Sequence, residues 1–447
     1  MKFQNHRKWL FFLFITLFSL WFSGYVQREI RIFHESSARD FFDFNVYYTG
    51  ALVARSDTDK RLYSYKEIQD PNQPSEKVVV NPQLQSPEPD STFGYFAKQT
   101  GADGQYLYPP FFSMTIVPLT YLSFEKAKIL WHVFIFLLAG AAVFLTVRLL
   151  YEDYLTIALI AGVAVMMMEF TLPMQDLLFG SNITSIILFF SVAGLCLHKK
   201  YPTFGALFFA LAVIIKLTPI VIVPLMVVRK QWKWLIAFCC WSVLLWGLSI
   251  WQLGWQNHRE FLTQVMPAMS SGIPHPDNRS LSTVIYAVSL GNFLTYDEIR
   301  QGAYIFPPRT PILLFKMLAL VTFLGLLIFF WYTNKSNSQL HIEVLLLLLW
   351  SIIFSPVGLR YSYLLAVSPI VFAWLHPLTK KASSMRLLLL SIATFTIFSV
   401  LPSYGLVVTD SFPIHLVLVS VMPIGVILCM WHLITLLKSV DEIPPAY

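Results

Sequence analysis

The chain is built from apolar blocks of roughly 20 residues that carry almost no charge. A block of that length matches the hydrocarbon core of a bilayer crossed as a helix. Inside lipid, backbone groups must be satisfied within the segment or within a closed barrel. The blocks are continuous rather than alternating, which excludes an outer-membrane barrel. Hydrophobic residues make up 56% of the 447 residues and charged residues only 13%. A water-soluble globule could not cover that much apolar surface with so few charges. The composition therefore excludes a cytosolic enzyme, a disordered scaffold and a disulfide-rich secreted domain. Cys196, Cys239, Cys240 and Cys429 lie in or beside apolar segments and form no CxxC pair. They read as small core residues, with neither a disulfide frame nor a metal set.

The runs at 9–26, 126–148, 154–172, 183–198, 231–251, 311–332, 339–356, 361–376, 385–402 and 413–437 give about ten full spans of an all-α polytopic protein. The first, preceded by Lys2, Arg7 and Lys8, reads as an uncleaved signal anchor. The net charge of +7 follows from Lys and Arg collecting on cytoplasmic loops; no basic stripe interleaved with aromatics points to nucleic acid. Two long loops, 27–108 and 252–310, fall on the outer side, and the chain is expected to form a single membrane domain. The apolar run after Pro109 is too short for a span and reads as an interfacial helix. Segment 203–228 has basic clusters at both ends, Lys199-Lys200 and Arg229-Lys230, yet is too short to cross twice. Lys216-Leu217-Thr218-Pro219 at its middle predicts a pair of half-helices broken there, of the kind tolerated where a cavity is lined.

Candidate chemistry concentrates on the outer side. Asp43 sits among aromatics in Asp40-Phe41-Phe42-Asp43-Phe44-Asn45-Val46-Tyr47-Tyr48, where poor solvation favours a general base. A local ion pair with Arg39 or a helix cap is the competing account. Tyr106-Leu107-Tyr108-Pro109-Pro110 ends the first loop and suits a helix start. Asp57-Thr58-Asp59 has the form of a metal-binding triplet but lies in a solvated run beside Lys60-Arg61, so no metal role is expected. Gln175, Ser181 and Asn182 offer hydrogen bonds to sugar hydroxyls, or alternatively cap the helix that follows. Asn182-Ile183-Thr184, Asn278-Arg279-Ser280 and Asn334-Lys335-Ser336 match the glycosylation sequon. Lys216, in the middle of an apolar hairpin, is costly unless it meets an anion, and a phosphate is a natural partner. His275-Pro276-Asp277-Asn278-Arg279 and Ser355-Pro356-Val357-Gly358-Leu359-Arg360-Tyr361 place two arginines where an anionic headgroup could be met. Either could also anchor at the lipid surface.

The order of these motifs resembles the GT-C membrane glycosyltransferases, in particular glycosyltransferase family 87, whose members include polyprenol-phosphate-mannose-dependent α-mannosyltransferases. The resemblance rests on an N-terminal anchor, DFNVYY, YLYPP, GSN, KLTP followed by RKQWKW, DNRSL and SPVGLRY. It implies a GT-C fold and an inverting transfer of a sugar, mannose or another hexose or pentose. The donor would be a polyprenyl phosphate and the acceptor a lipid or glycan. Transfer would occur on the extracytoplasmic face of a bacterial inner membrane. Carried over residue by residue, it makes Asp43 the catalytic base and matches Tyr108-Pro109-Pro110, Gly180 and Asn182, Lys216 and Pro219, and Asn278, Ser280 and Leu281 to the family's motifs. With the reading of the residues themselves, Lys216 and Arg360 are expected to meet the donor phosphate and Tyr47, Tyr108, Gln175, Asn182, His275, Asn278, Arg279 and Tyr361 the substrates, with no cofactor and no metal. The late Ser-Pro turn continues into Arg360-Tyr361 where the family has histidines, so the sugar stays open. A multi-span transporter or flippase of a lipid-linked or anionic substrate shares the spans and the buried lysine but leaves the aromatic first loop unexplained. A glycan polymerase or ligase would carry its long loop late in the chain.

Overall fold

A computed structural model describes residues 42–57, 59–63, 67–70, 73–79, 86–168, 171–270, 272, 275, 278–291, 293, 309–333, 339–376, 384–398 and 412–439. The expected first span, 9–26, lies outside these residues. The described part of the expected first loop carries regular structure. It includes helix α1 (Phe42–Arg55), which has Asp43 in its first turn, where an acid suits the helix dipole, and ends with Arg55. An antiparallel hairpin, β1 (Glu67–Asp70) and β2 (Gln73–Val79), departs locally from the all-α expectation. Helix α2 (Thr92–Thr100) is capped by Ser91, whose hydroxyl accepts from Gly94 N, and is closed by Gly101 in the left-handed region.

The run after Pro109 forms α3 (Pro110–Ile116) and a 3-10 turn (Val117–Tyr121), short as the sequence indicates. Helix α4 (Phe124–Arg148) packs against the next helix, α5 (Tyr154–Met168). The chain then bends by 72° into α6 (Leu172–Gly180), so Pro173 to Asp176 form a helix rather than the polar turn expected there. Pro173 suits that start, since the first helical turn needs no N–H from it. Helix α7 (Thr184–Leu197) and α8 (Pro202–Ile215) pack closely through Gly194 and Gly205. A Cβ on Gly194 would lie 2.6 Å from the Phe209 ring and 2.9 Å from the Gly205 carbonyl, the close approach that small residues permit between membrane helices.

The break at Lys216 is present as the sequence predicts. Lys216 is extended (φ −150, ψ 123), a 3-10 turn follows at Thr218–Val221, and the chain re-enters helix in α9 (Ile222–Val228). Pro219 reinforces the break because it lacks the N–H a continuous helix would use there. Helix α10 (Trp232–Glu260) is broken at Gly254 (φ 80, ψ 157), three residues beyond its expected end at 251; helix then resumes and continues through a π turn, Phe261–Val265, to Met269. Tertiary contact holds the part beyond the break. Asn257 donates to Lys60 O at 2.9 Å and accepts from Leu62 N at 2.9 Å, and Phe261 lies against Tyr63. The second loop is correspondingly shorter and holds α11 (Leu281–Leu290).

The remaining helices are α12 (Arg309–Tyr332), α13 (Gln339–Ile353), α14 (Val367–Leu375), α15 (Ser384–Phe398) and α16 (Phe412–Ser439). A 3-10 helix, Arg360–Ala366, leads into α14. Among the described residues four helices are long and apolar enough to cross a membrane, or five if the bent pair α5–α6 is counted as one. The other apolar helices run 10–17 residues. At 1.5 Å per residue a 14-residue helix reaches only about 21 Å, short of the roughly 30 Å core. Helix length therefore supports a polytopic membrane protein but not the expected ten full crossings.

Candidate active site

Asp43 lies in the first turn of α1 and meets the segment that follows α6. Ser181 ends α6 in the left-handed region (φ 54), and Trp131 Nε1 holds its carbonyl at 2.9 Å. This turn aims Asn182 at Asp43. The Asn182 Oδ1 accepts from Thr184 N at 3.0 Å and Thr184 Oγ1 at 2.7 Å. That fixes the amide, so its Nδ2 donates to Asp43 Oδ2 at 2.6 Å and to the Tyr47 hydroxyl at 3.2 Å. Tyr47 and Tyr108 share a hydrogen bond between their hydroxyls at 3.0 Å, with ring centres 5.0 Å apart in an edge-to-face arrangement. Tyr63 donates to Tyr108 O at 2.5 Å. Phe112 and Trp131 pack on the Tyr47 ring.

Asp43 keeps part of its surface open, yet protein encloses the carboxyl closely enough to push it up to about 6. Burial is the largest cause; the Asn182 hydrogen bond and the positive charge of Lys216 act the other way. Burial holds the Tyr47 phenol well above its ordinary range, with the Asp43 charge adding to the effect, and raises that of Tyr108. Both tyrosines are therefore neutral donors at physiological pH. Gly180 leaves space beside the Asp43 carboxylate: a Cβ there would lie 3.5 Å from Asp43 Oδ2.

Lys216 reaches the same region from the helix break. Its Nζ lies 6.0 Å from the centre of the Tyr361 ring, and its charge acts on Asp43. The structure thus brings together Asp43, Tyr47, Tyr108, Asn182, Lys216 and Tyr361, drawn from five separate stretches of sequence. Arg360 is ion-paired: its Nε lies 2.7 Å from Asp176 Oδ2. Gln175, next to Asp176 on α6, is exposed.

Asn278 uses both ends of its amide on the late turn. Its Nδ2 donates to Pro356 O at 3.0 Å, and its Oδ1 accepts from Gly358 N at 2.7 Å. Arg279 N donates to Gly358 O at 2.8 Å, and the Arg279 side chain is fully buried. These residues stitch the 355–361 turn in place, and His275 is buried beside them. Asn182 and Asn278 are both fully buried, so neither sequon is open to modification in the folded protein. The third sequon lies outside the described residues. Asp57 and Asp59 are exposed. No group of three or more metal-ligating side chains occurs among the described residues.

Two charged partners were missed in the sequence. Asp176 belongs to a patch noted only for its amides. Arg229, read as a flanking basic residue, forms a two-point ion pair with Glu343, with Nε to Oε2 at 2.7 Å and both side chains buried. A glutamate within an apolar run was the available signal, because a charge at that depth implies a partner.

The chain is thus a largely helical polytopic membrane protein that gathers a hydrogen-bonded carboxylate, a lysine and several tyrosines in one region. The sequence profile of glycosyltransferase family 87 matches residues 106–356, more than half of the chain, and the protein belongs to that family. The matched stretch contains Tyr108, Asn182 and Lys216; Asp43, Arg360 and Tyr361 lie outside it. A comparison with curated proteins finds no match, and neither does one with solved structures.

Proposed function

We propose that the protein transfers a sugar, mannose or a related hexose or pentose, from a polyprenyl-phosphate donor to a hydroxyl of a lipid or glycan acceptor, with inversion. The observation that carries the reading is the Asp43 carboxylate, held by Asn182 at 2.6 Å under the influence of the Lys216 charge. Asp43 accepts the proton of the attacking hydroxyl, and an affinity near pH 6 leaves it ionised yet basic enough for the task. The hydroxyl attacks the anomeric carbon from the face opposite the phosphate, through an oxocarbenium-like transition state by analogy with glycoside hydrolysis. Lys216 takes up the charge that develops on the departing polyprenyl phosphate. Tyr108 and Tyr361 line the path for the sugars, and the fully buried Tyr47 positions Tyr108 through the 3.0 Å hydrogen bond between their hydroxyls. Asn278 and Arg279 serve indirectly, by holding the turn that carries Tyr361.

The α1 region, the end of α10 beyond Gly254 and the 355–361 turn would then share the extracytoplasmic side of the inner membrane, with the basic loops opposite. No observation favours the transporter reading. The test is transfer itself. Purified protein in lipid nanodiscs is given radiolabelled polyprenyl-phosphate sugars and a lipid extract as acceptor. Label should pass into a new product. Absence of transfer from every polyprenyl-phosphate sugar, with transfer from a nucleotide sugar instead, would overturn the donor assignment.

A further inference from the structure

The chemistry proposed above uses Asp43 and Lys216 and leaves the Asp176–Arg360 pair without a task. Its position is telling. Asp176 precedes Gly180 by four residues on α6, so both lie on one face, a helical turn apart. Gly180 is the residue beside the Asp43 carboxylate. Arg360 precedes Tyr361, whose ring lies near Lys216. The pair therefore stands one helical turn along α6 from Gly180, the residue that touches the Asp43 carboxylate, and next in sequence to Tyr361, which faces Lys216. It also keeps surface open, 28% for Arg360 and 19% for Asp176, whereas Asn182 and Tyr47 are fully buried.

The charge of Arg360 is balanced at 2.7 Å by Asp176. A neutralised guanidinium makes a weak anchor for phosphate. A guanidinium and a carboxylate side by side instead suit a pair of neighbouring hydroxyls, each of which accepts from one group and donates to the other. The face of α6 that brings Gly180 to Asp43 also carries Asp176, so a sugar whose attacking oxygen rests on Asp43 turns its other ring hydroxyls toward the pair.

Resting on the glycosyl-transfer reading, we infer that Asp176 and Arg360 form the subsite that reads the hydroxyls of the acceptor sugar and decides which acceptor is used. The donor sugar offers the same chemistry, and the experiment separates the two. Full-length protein in nanodiscs is probed by saturation-transfer NMR with methyl α-D-mannopyranoside, methyl α-D-glucopyranoside and their monodeoxy derivatives. The same protein is assayed with radiolabelled undecaprenyl-phosphate mannose, using the methyl glycosides as acceptors. The variants are Asp176→Asn and the charge swap Asp176→Arg with Arg360→Asp.

Loss of one charge-assisted hydrogen bond corresponds to roughly a tenfold or greater weakening. Asp176→Asn should weaken glycoside binding and raise the acceptor KM by that factor while leaving the donor KM unchanged. The swap should restore the melting temperature of the wild type but not its glycoside binding. Binding lost in both variants supports the subsite even if undecaprenyl-phosphate mannose proves not to be a donor, a result that would count against the donor reading alone. Three results overturn the inference: wild-type protein that binds none of the glycosides, a swap that binds them as the wild type does, or a rise confined to the donor KM.

Discussion

Replacing Asp43 by Asn should abolish most of the activity and make the protein more stable. The carboxyl ordinarily titrates at 3.8, and burial lifts it to about 6 in the fold. Each tenfold change in proton affinity is worth 1.36 kcal/mol, so holding this group ionised costs the native state about 3 kcal/mol above pH 6. The sign follows from linkage. Between pH 3.8 and about 6 the native state binds the proton and the unfolded state releases it, so stability falls as pH rises through that window. Asn removes the cost while keeping an oxygen to accept from Asn182 Nδ2. Its new N–H₂ end replaces a carboxylate oxygen and gives back about 1 kcal/mol. The net gain is about 2 kcal/mol at pH 7.5, vanishing near pH 4. The rate should fall by roughly 10²–10⁴, the usual contribution of a positioned base. Melting in one detergent at a single scan rate, at pH 4 and pH 7.5, reads the first effect; transfer of radiolabelled sugar reads the second. A variant that melts lower than wild type at pH 7.5, or one that transfers at near-normal rate, would refute the reasoning.

Asn182→Ala removes a bond that stabilises the ionised base, so the acid limb of the pH–rate profile, near 6 in the wild type, should move to higher pH. An unmoved limb would detach Asn182 from the base. Arg229→Met should cost roughly 3–5 kcal/mol by stranding Glu343, and Arg229→Met with Glu343→Leu should recover most of it, as read by melting temperature. Gly194→Ala should destabilise by about 1–3 kcal/mol, because the added methyl meets the Phe209 ring and the Gly205 carbonyl. Gly247→Ala, with nothing within 4 Å of the added carbon, should melt no lower than wild type.

The sequence by itself determined the class of the protein. Apolar blocks of membrane length are a local property, legible wherever they occur, and they carried the helices at 124–148, 309–332 and 412–439. The break at Lys216 was legible for the same reason, since a lysine and a proline disrupt an apolar helix wherever it packs. Asp43 stood out because its aromatic neighbours are adjacent in the chain. Tertiary structure alone decided what these residues meet. Asn182 lies 139 positions from the carboxylate it holds, and nothing local distinguishes its amide from a cap. Arg360 reads as a lipid anchor or a phosphate contact until α6 brings Asp176 beside it. The helical segment beyond Gly254 is held by Asn257 meeting Lys60 and Leu62. Hydropathy fixes which surfaces leave water, an energy summed residue by residue along the chain. A hydrogen bond or an ion pair needs two groups within about 3 Å, and only packing brings together groups that are far apart in sequence.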